Sequence, residues 1–497
     1  MQLQFETYGC PCLQRVVWQS QTTEETQEIK LSDGMPDIGR TLGAWGQPIL
    51  RSKQWNSDSM QITGGIMAWV VYAPEDNSEI RSMETWIPFQ LKWDLPKCER
   101  EGIIHVYPMV LNVDARTLSA RKMMIRVNVG AVGEAMMPAE VPIPLVPQEK
   151  EGLEILTNRY PVWIPREAGE KNFLIEEDVE IKRGAEMAKL IACSLETAVT
   201  EEKVVGNKLA FRGNTWIHML CRDEEGRLFS EDQELPFSQY TELDRDYGQG
   251  SCGKTRCCVT SLETDTREDG SIHLKCGLVA QYRILEEQVL ELPEDGYCLD
   301  CEASFQTREL ELPLILDQTE EVICSQQSAE LSDVRVADVV FRPDLPEIRT
   351  LPEAVQVQLG GNYAVLYYDS ENMLQSGTYR WQQDLSVPMD ENGLMTASLE
   401  MTKAPQYNPN GNLTLRCDLL LKTQVLSRRG FRVIESARIG EKQERDPDRP
   451  SMILERAGTE GLWHLAKKNG STVDAIRKAN RLEEEPGEDR MLLIPVL

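Results

Sequence analysis

An internal repeat constrains the fold of this chain more than any other feature of its sequence. Three stretches each place a glycine before six or seven mostly apolar residues and a polar turn; they read ITGGIMAWVVYAPED, FRGNTWIHMLCRDEE and QLGGNYAVLYYDSEN. Their shared glycines are Gly64, Gly213 and Gly360, which lie 149 and 147 residues apart. Self-similarity of this kind indicates several copies of one folding unit. The sequence therefore predicts three copies of one unit.

Further landmarks recur in the same order around these glycines. One set ends 26 residues before its glycine and consists of Pro36-Asp37-Ile38, Ala185-Glu186-Met187 and Ser332-Asp333-Val334. Another set begins a late alternating run and consists of Ile125-Arg126-Val127, Leu274-Lys275-Cys276 and Leu415-Arg416-Cys417. Agreement at several places is much less expected by chance than a single short motif, and it strengthens the prediction of a repeat.

Each unit is predicted to consist mainly of strands. Its runs are short, rich in Val, Ile, Tyr and Trp, and bounded by polar turns. We expect a mainly β fold with three β-sandwich or barrel-like units. The shared glycine lies just inside the strongest strand, where it predicts a bulge or a close backbone approach. Residues 36–42 are the best helix candidate, because Pro36 begins the segment and Ile38 and Leu42 are four residues apart.

The end of the chain has a different pattern. Leu462-Trp463 begins a short helical pattern, and Thr472 offers an N-cap for a second one. Val473, Ile476 and Ala479 follow at three-residue spacing, which is typical of an amphipathic helix. Residues 492–495 predict a terminal strand. We therefore expect a small α+β module with two helices between two strands (βααβ).

These patterns divide the chain into five parts. The three units are predicted at residues 1–137, 148–300 and 302–440, a charged linker at 441–451, and the C-terminal module at 452–497. The Pro-rich stretch PAEVPIPLVP separates the first two units, and EKQERDPDRP precedes the module. Proline and charge of this kind are typical of linkers.

The overall composition excludes several partners. The formal net charge of −28 leaves no basic surplus to neutralise nucleic-acid phosphates. The sequence has no continuous apolar run of about eighteen residues, so no integral membrane segment is expected. The starting residues MQLQFETYGCPCLQ lack the basic start and apolar run of a secretory signal. Without such a signal, the 13 scattered cysteines are expected to be reduced thiols.

One stretch, GQGSCGKT from Gly248 to Thr255, matches the pattern of a phosphate-binding loop. Such a loop needs a buried strand before it and a helix after it, so that backbone N–H groups face the phosphate. The preceding YTELDRDY is polar, and the following RCCVTSLETDT alternates like a strand. We therefore expect no nucleotide site there.

Metal and catalytic sites have weaker support. Cys298 and Cys301 could form half of a zinc site that Cys252, Cys257 and Cys258 would complete. Adjacent cysteines in a strand point to opposite faces, which favours ordinary thiols. His218 is equivalent to Trp69 and Val365 in the other copies, which indicates a packing position. We predict no catalytic residue, no cofactor-binding residue and no metal ligand, and no enzymatic activity.

Two family resemblances follow from the motifs. The C-terminal module resembles the LysM domain in Leu462-Trp463, Leu465-Ala466-Lys467, Asn480 and Leu492-Leu493-Ile494-Pro495. The repeated unit resembles the SPOCS domain in Pro36-Asp37-Ile38, Gly64-Gly65, Val70-Val71-Tyr72 and Met83-Glu84-Thr85-Trp86-Ile87-Pro88-Phe89. Several SPOCS units followed by one LysM domain is the layout of SipL-type spore coat morphogenetic proteins. The resemblance covers nearly the whole chain.

That resemblance implies a non-enzymatic scaffold or adaptor in endospore coat morphogenesis. Members of the family work in the cytoplasm of the mother cell, at the forespore surface. Their LysM domain engages the ATPase that polymerises as the basement layer of the coat, and other spore coat proteins are expected partners. The alternative is an intracellular carbohydrate-binding protein that recognises peptidoglycan or N-acetylglucosamine polymers of the spore cortex or germ-cell wall.

The LysM resemblance places partner or glycan binding at two loops of the module. The residues concerned are Thr459, Glu460, Gly461, Leu462, Asn480, Glu488 and Asp489. Their loops depart from the sugar-binding pattern and are acidic, which favours a protein partner with a basic patch over an anionic wall polymer. Trp463, Leu465 and Ile476 are expected to form the small core of the module.

Overall fold

The computed structural model of the protein contains almost only β-structure. It describes residues 2–76, 79–97, 100–147, 152–181, 188–312, 314–352, 354–389, 393–427, 430–442, 449–459, 461–484, 486–487 and 490–497. Within these ranges there are 24 strands and two short helices, so the predicted mainly β class is confirmed. Neither helix in this described part has the length and apolar character needed to cross a membrane.

The first part of the chain forms two antiparallel sheets that pack face to face. Its strands are β1 (Gln2–Gln4), β2 (Thr7–Lys30), β3 (Ile38–Asn56), β4 (Ser59–Pro74), β5 (Arg81–Asp94), β6 (Ile103–Ser119) and β7 (Lys122–Pro144). One sheet has the order β3–β4–β5 and the other has the order β2–β7–β6. Buried side chains of both sheets, such as Ile66, Trp93 and Val127, share one core. We call this the first sandwich.

The second sandwich repeats this pairing scheme. Its strands are β8 (Leu153–Val179), β9 (Lys189–Arg222), β10 (Leu228–Tyr247), β11 (Ser251–Thr266) and β12 (Ile272–Cys298). One sheet has the order β8–β12–β11, and β9 pairs with β10 to form the other. Phe211 and Leu274 lie in the core between the two sheets.

The third sandwich follows the same scheme with shorter strands. Its elements are β13 (Cys301–Leu310), β14 (Ile315–Ala329), β15 (Arg335–Pro343), β16 (Glu347–Thr350), β17 (Ala354–Tyr368), β18 (Leu374–Pro388), β19 (Gly393–Met401), β20 (Gln406–Asn408), β21 (Leu413–Ser427) and β22 (Phe431–Lys442). The strands β14–β21–β19 form one sheet, and β15, β16 and β18 pair with β17 in the other. Val357 and Leu415 lie in the core between them.

The glycine shared by the three copies permits a close approach of neighbouring chain segments. A Cβ atom at Gly64 would collide with the carbonyl oxygen of Ile49, and one at Gly213 with that of Ala198. The predicted close backbone approach is therefore confirmed at these two positions. At Gly360 an added Cβ would instead meet side-chain atoms of Arg380 and Asp344, each 2.6 Å away.

The helix predicted for residues 36–42 is wrong. From Ile38 onward the chain belongs to β3, which pairs with β4 along its whole length. Shifts of register after Ile38 and Thr41 accompany the burial of Ile38 in the first core and of Leu42 in a different cluster. So short a helix would gain few hydrogen bonds, whereas pairing with β4 satisfies the backbone and buries both side chains.

The three sandwiches meet at a common junction, and each contacts the other two. A buried cluster there combines Trp45 of the first sandwich, Leu220 of the second and Leu366 of the third. The sheets of the second and third sandwiches join where Trp163 of β8 pairs with Ile315 of β14. On another side, β22 lies between β13 and β1, and Gln2 pairs with Arg438. Each sandwich therefore contacts the other two, and we call this assembly of three sandwiches the ring.

Candidate functional site

The C-terminal module has the predicted order of elements. It consists of β23 (Met452–Arg456), α1 (Gly461–Asn469), α2 (Val473–Asn480) and β24 (Met491–Pro495). Thr472 caps α2, since its Oγ1 accepts a hydrogen bond of 3.0 Å from the backbone N–H of Ala475. Leu462, Ile476 and Ile494 fill a small core between the helices and the two-stranded sheet. The two helices and the terminal strand expected from the sequence are confirmed.

The predicted binding residues of the module are spread over different environments. Thr459 is exposed, and Gly461 begins α1 with a φ of 76°. Leu462 is only 1% exposed and belongs to the core, so it cannot contact a ligand without unfolding of the module. Glu460, Glu488 and Asp489 lie outside the described residues. Of the predicted set, Thr459 has the accessibility that direct contact with a partner requires.

Asn480 has a structural role that its sequence position did not reveal. Its Oδ1 accepts a hydrogen bond of 2.8 Å from the N–H of Leu493, and its Nδ2 donates to the carbonyl of Leu493 at 2.5 Å. Nδ2 also donates to the carbonyl of Ile476 at 2.9 Å. The amide thus pairs with the edge of β24 as a neighbouring strand would, and it fastens α2 to the sheet. Asn480 was predicted to belong to a binding groove. Its side-chain oxygen and nitrogen are already hydrogen-bonded within the module.

The module is attached to the second sandwich through one face of α1. Trp463 packs edge-to-face on Tyr297, with 4.9 Å between the ring centroids, and its Nε1 donates to Asp295 Oδ2 at 2.8 Å. Lys467 Nζ lies 2.7 and 2.8 Å from the two carboxylate oxygens of Asp295. Tyr297 also donates from its hydroxyl to the carbonyl of Ser471 at 2.7 Å. Trp463 was expected in the module core; it packs against the edge of that core and also forms this interface.

Electrostatics supports the same attachment. Burial opposes ionisation of Asp295, but hydrogen bonds from Lys467 and Trp463 hold the pKa of this carboxyl below its usual value. The carboxylate is therefore charged at neutral pH and pairs with Lys467. The attachment contacts lie on α1 and at Ser471, while Gly458 and Thr459 stay exposed. The loop before α1 is thus open to a partner in the attached state.

The outer face of the two-stranded sheet is exposed and largely apolar, with Arg456 at one end. Met452 and Leu454 of β23, with Met491 and Leu493 of β24, are 43 to 61% exposed. Leu454 and Leu493 are directly opposite each other in the pairing register, and Ile453, Leu492 and Ile494 on the other face point toward the module core. We call the four exposed side chains the apolar face. Exposed apolar groups that adjoin one another in this way are typical of interaction surfaces.

Sequence reasoning missed the apolar face, although a signal for it was present. In MILER and MLLIP, apolar residues occupy successive positions of the strand rather than alternate ones. Because successive side chains of a strand point to opposite faces, such a run predicts a sheet that is covered on both sides. The helices cover only one side here.

The motif from Gly248 to Thr255 does not form a phosphate-binding loop. Ser251 to Thr266 is the strand β11, which pairs with β12, so no helix follows the lysine. Lys254 Nζ lies 2.6 Å from Glu320 Oε1 of the third sandwich. The expected absence of the strand–loop–helix geometry is confirmed, and Lys254 instead joins two sandwiches.

The cysteine pair Cys298 and Cys301 corrects one expectation. The structure joins them in a disulfide, with 5.4 Å between their Cα atoms, so the prediction of reduced thiols is wrong for this pair. The chain turns sharply between β12 and β13, which brings the two residues within bonding range. Cys257 and Cys258 point to opposite faces of β11, as predicted, and lie in the second and first cores. These residues are therefore not assembled into a four-ligand zinc site.

His218 is part of a buried charge cluster rather than an apolar packing position. Its Nδ1 lies 2.6 Å from Asp232 and its Nε2 lies 2.8 Å from Asp338 of the third sandwich. Asp338 is 1% exposed and also accepts a hydrogen bond of 3.0 Å from Nε1 of Trp45. Burial opposes the charged imidazole, but Asp338 and Asp232 together raise the pKa of His218 to about 10. The charged histidine therefore links the second and third sandwiches, and Trp45 joins the first sandwich to the same cluster through Asp338.

A second buried cluster joins equivalent positions of the three copies. Glu134, Arg283 and Gln424 each lie nine residues after the start of the late alternating run of their copy. Arg283 Nη1 donates to Glu134 at 2.7 Å, and its Nη2 donates to Gln424 at 3.4 Å. Arg15 adds a second cation 2.6 Å from Glu134. Aligning the copies brings these residues into one column, so the repeat contained a signal for this contact.

Comparisons of the chain with protein-family models, with curated proteins and with solved structures found no match. The fold defines a mainly β protein whose three sandwiches form a ring, with a small α+β module attached to the second of them.

Proposed function

We propose that the protein is a non-enzymatic scaffold or adaptor in endospore coat morphogenesis, and that its C-terminal module tethers it to the ATPase of the coat basement layer. The motif resemblance of the repeats and of the module suggests this role. The observation that carries the tether is the apolar face, which is exposed on the side of the module sheet opposite its core.

The attachment of the module supports a docking role. Trp463 and Lys467 hold α1 against Asp295 and Tyr297 of the second sandwich, so the orientation of the module on the ring is defined. A surface held in one orientation loses less conformational freedom when a partner binds than one on a free tether does. The ring would then serve as the platform on which other coat proteins assemble in the cytoplasm of the mother cell, at the forespore surface.

The chemistry of the apolar face favours a protein over a glycan. Met452, Leu454, Met491 and Leu493 offer apolar contact area, and methionine adapts its shape to different apolar partners. Sugar recognition depends on hydrogen bonds, and Asn480 has its amide engaged with Leu493 and Ile476. A partner with an apolar patch and a basic rim would complement both the face and the net charge of −28.

The tether is tested with the full chain and the purified basement-layer ATPase. The double variant Leu454→Glu, Leu493→Glu places charge on the apolar face, and we expect binding to weaken at least tenfold in a sedimentation or pull-down titration. Leu174→Glu is the matched control, because Leu174 is 47% exposed on the second sandwich and far from the module in sequence. Equal binding by the double variant, or no binding by the unmodified chain, would contradict the tether.

Two further measurements separate the tether from a carbohydrate-binding role. Saturable binding of N-acetylglucosamine oligomers or peptidoglycan by the full chain, with no affinity for the ATPase, would replace the proposal by the glycan alternative. A fluorescently tagged chain should form a ring around the forespore in sporulating cells. Diffuse fluorescence throughout the cell would count against a coat scaffold.

A further inference from the structure

A polar pocket lies where the three sandwiches meet. It has a volume of about 210 Å³ and is lined by side chains of all three, among them Glu134 of the first, Arg283 of the second and Gln424 of the third. We call it the junction pocket. A single water needs only about 10–15 Å³ of such space, so the pocket has room for a hydrated small ion.

Cations outnumber carboxylates in the lining of this pocket. The cations are Lys254, Arg256, Arg283 and Lys422, and the carboxylates are Glu134, Glu320 and Glu400. His105 also lines it, and because burial lowers the pKa of His105 to about 3, this imidazole is neutral at pH 7. In a chain with a net charge of −28, a positive surplus gathered in one pocket is unexpected.

The two most buried carboxylates each hold two cations. Glu134 is 3% exposed and lies 2.6 Å from Arg15 and 2.7 Å from Arg283. Glu400 is 7% exposed and lies 3.0 Å from Arg256 and 3.1 Å from Lys422. One carboxylate balances only one cation, so each cluster has a positive charge left over.

Charges just behind the lining do not remove the surplus. Arg15 stands behind Glu134 and adds a cation, while Glu202 stands behind Thr255 and adds an acid. Glu196 lies close to Arg256 and adds a second acid. Burial raises the pKa of both Glu202 and Glu196 to about 7, so each carries only part of a charge near neutral pH and together they reduce the surplus without cancelling it. Lys254 pairs with Glu320 at 2.6 Å and contributes no net charge.

Unused hydrogen-bond donors accompany the charge. Among the described residues, the buried Nε of Arg283 and the buried Nη1 of Arg15 have no acceptor. A buried N–H without a partner costs free energy comparable to that of a lost hydrogen bond. Both donors belong to the guanidinium groups that hold Glu134; Arg283 lines the junction pocket, and Arg15 stands behind it. The buried Oε1 atoms of Gln318 and Glu400, which also line the pocket, accept no hydrogen bond from the described part of the chain.

From the surplus charge, the spare donors and the space, we propose that the junction pocket binds a small oxyanion of the phosphate type. The anion would lie among Lys254, Lys422 and Arg283, and it would touch the second and third sandwiches at once. Ammonium and guanidinium groups bind such oxyanions through charge-assisted hydrogen bonds. The lysine of GQGSCGKT would thus contact an oxyanion from a strand, with none of the geometry of a nucleotide-binding loop.

The test measures binding of inorganic phosphate to the full chain at constant ionic strength. Phosphate should bind saturably in calorimetry, broaden its own phosphorus-31 resonance in the presence of protein, and raise the melting temperature relative to chloride. Lys422→Gln and Lys254→Gln should each weaken phosphate binding about tenfold, which is the effect of losing one charge-assisted hydrogen bond. Both side chains are partly exposed, at 23 and 27%, so the variants should fold.

Lys275→Gln provides the control, because it removes the same charge from an exposed position of β12. It should leave phosphate binding unchanged and so reveal any general effect of phosphate as a salt. No saturable binding, or equal binding by Lys422→Gln, Lys254→Gln and Lys275→Gln, would overturn the proposal. Phenyl phosphate tests whether the natural ligand is a free ion or a phosphate group on a larger molecule. If the pocket does not bind this ester, the ligand is a free ion; if it binds the ester, the ligand is a phosphate group carried by a larger molecule.

Discussion

The junction of the three sandwiches and the attachment of the C-terminal module are two joints built on different physical principles. At the junction, charged groups such as Glu134 and Asp338 are buried and receive partners from more than one sandwich. At the attachment, Asp295 and Lys467 are 38 and 40% exposed, and Tyr297 packs against Trp463 and the module core. The first joint is fixed by groups that cannot be left unpaired; the second contains no such buried ion pair among its described residues, and its separation costs less free energy than separation of the sandwiches.

This difference shows that the relative positions of the three sandwiches are held more firmly than the position of the module. Removal of one partner from a buried ion pair leaves an uncompensated charge, whereas an exposed pair can exchange its partner for water. The ring should therefore unfold as a unit, while the module should separate from it first. The four predictions below test this contrast, from the largest effect to the smallest.

Glu134→Gln should have the largest effect. It leaves Arg15 and Arg283 buried without their carboxylate, and we expect the free energy of unfolding of the ring to fall by about 3–5 kcal/mol. Urea denaturation followed by circular dichroism measures this change. Glu140→Gln on the same strand is exposed and should change stability by less than about 0.5 kcal/mol. Similar losses in both variants would mean that the cluster does not hold the ring.

His218→Gln tests the junction through pH. The pKa of His218 is raised to about 10 in the fold from an unfolded value near 6.5, so its stabilising contribution is complete below about pH 6.5 and is lost as the pH rises toward 10. The variant should be less stable by roughly 2 kcal/mol at pH 6.5, and the difference should shrink by pH 10. His464→Gln, at an exposed position of α1, is the control. A difference that stays constant with pH would contradict the role of the charged imidazole.

Asn480→Ala should act on the module alone. It removes the hydrogen bonds to Leu493 and Ile476, at a cost of about 1–2 kcal/mol. Hydrogen exchange of the Leu493 amide should accelerate while amides in the ring keep their rates. Lys478→Ala, exposed on the same helix, should change neither. Loss of glycan or ATPase binding without faster exchange at Leu493 would assign Asn480 to a binding groove after all.

Asp295→Asn should have the smallest effect. The pair with Lys467 is partly exposed, so its loss should cost less than about 1 kcal/mol and appear as faster hydrogen exchange in α1. The pKa of Asp295 is lowered, so the attachment is stabilised above about pH 4 and weakens as the pH falls through the folded pKa. Glu291→Gln, exposed on β12, is the control. If hydrogen exchange in α1 is equally slow at acid pH, the contact between Trp463 and Tyr297 is enough to hold the module in place.

The sequence predicted local patterns better than the contacts between distant parts. The cap at Thr472, the spacing of Val473 and Ile476 and the strand at Lys254 depend on neighbouring residues, and these predictions hold. The helix at residues 36–42 fails because pairing with β4 outweighs local preference.

Contacts between the sandwiches could not be read from one copy alone. His218 was assigned to packing because its equivalents are Trp69 and Val365, yet Asp338 reaches it from the third sandwich. Glu134 and Arg283 occupy equivalent positions when the copies of the repeat are aligned, and they have opposite charges. That alignment is the sequence signal for their pairing. The contact of Trp463 with Tyr297 could not be predicted from the residues around either of them, because the two lie in different domains.

The pairing of β1 with β22 has a consequence for the order of folding. During synthesis Gln2 to Gln4 emerge long before residues 431–442, yet β1 can form its hydrogen bonds only with that later strand. Phe5, which is 3% exposed beside Ile434 in the finished fold, must stay uncovered for most of that time. A contact between such distant segments forms late and leaves an unpaired strand and an apolar side chain open to other chains. We therefore expect the yield of soluble protein to depend on how quickly the third sandwich is completed.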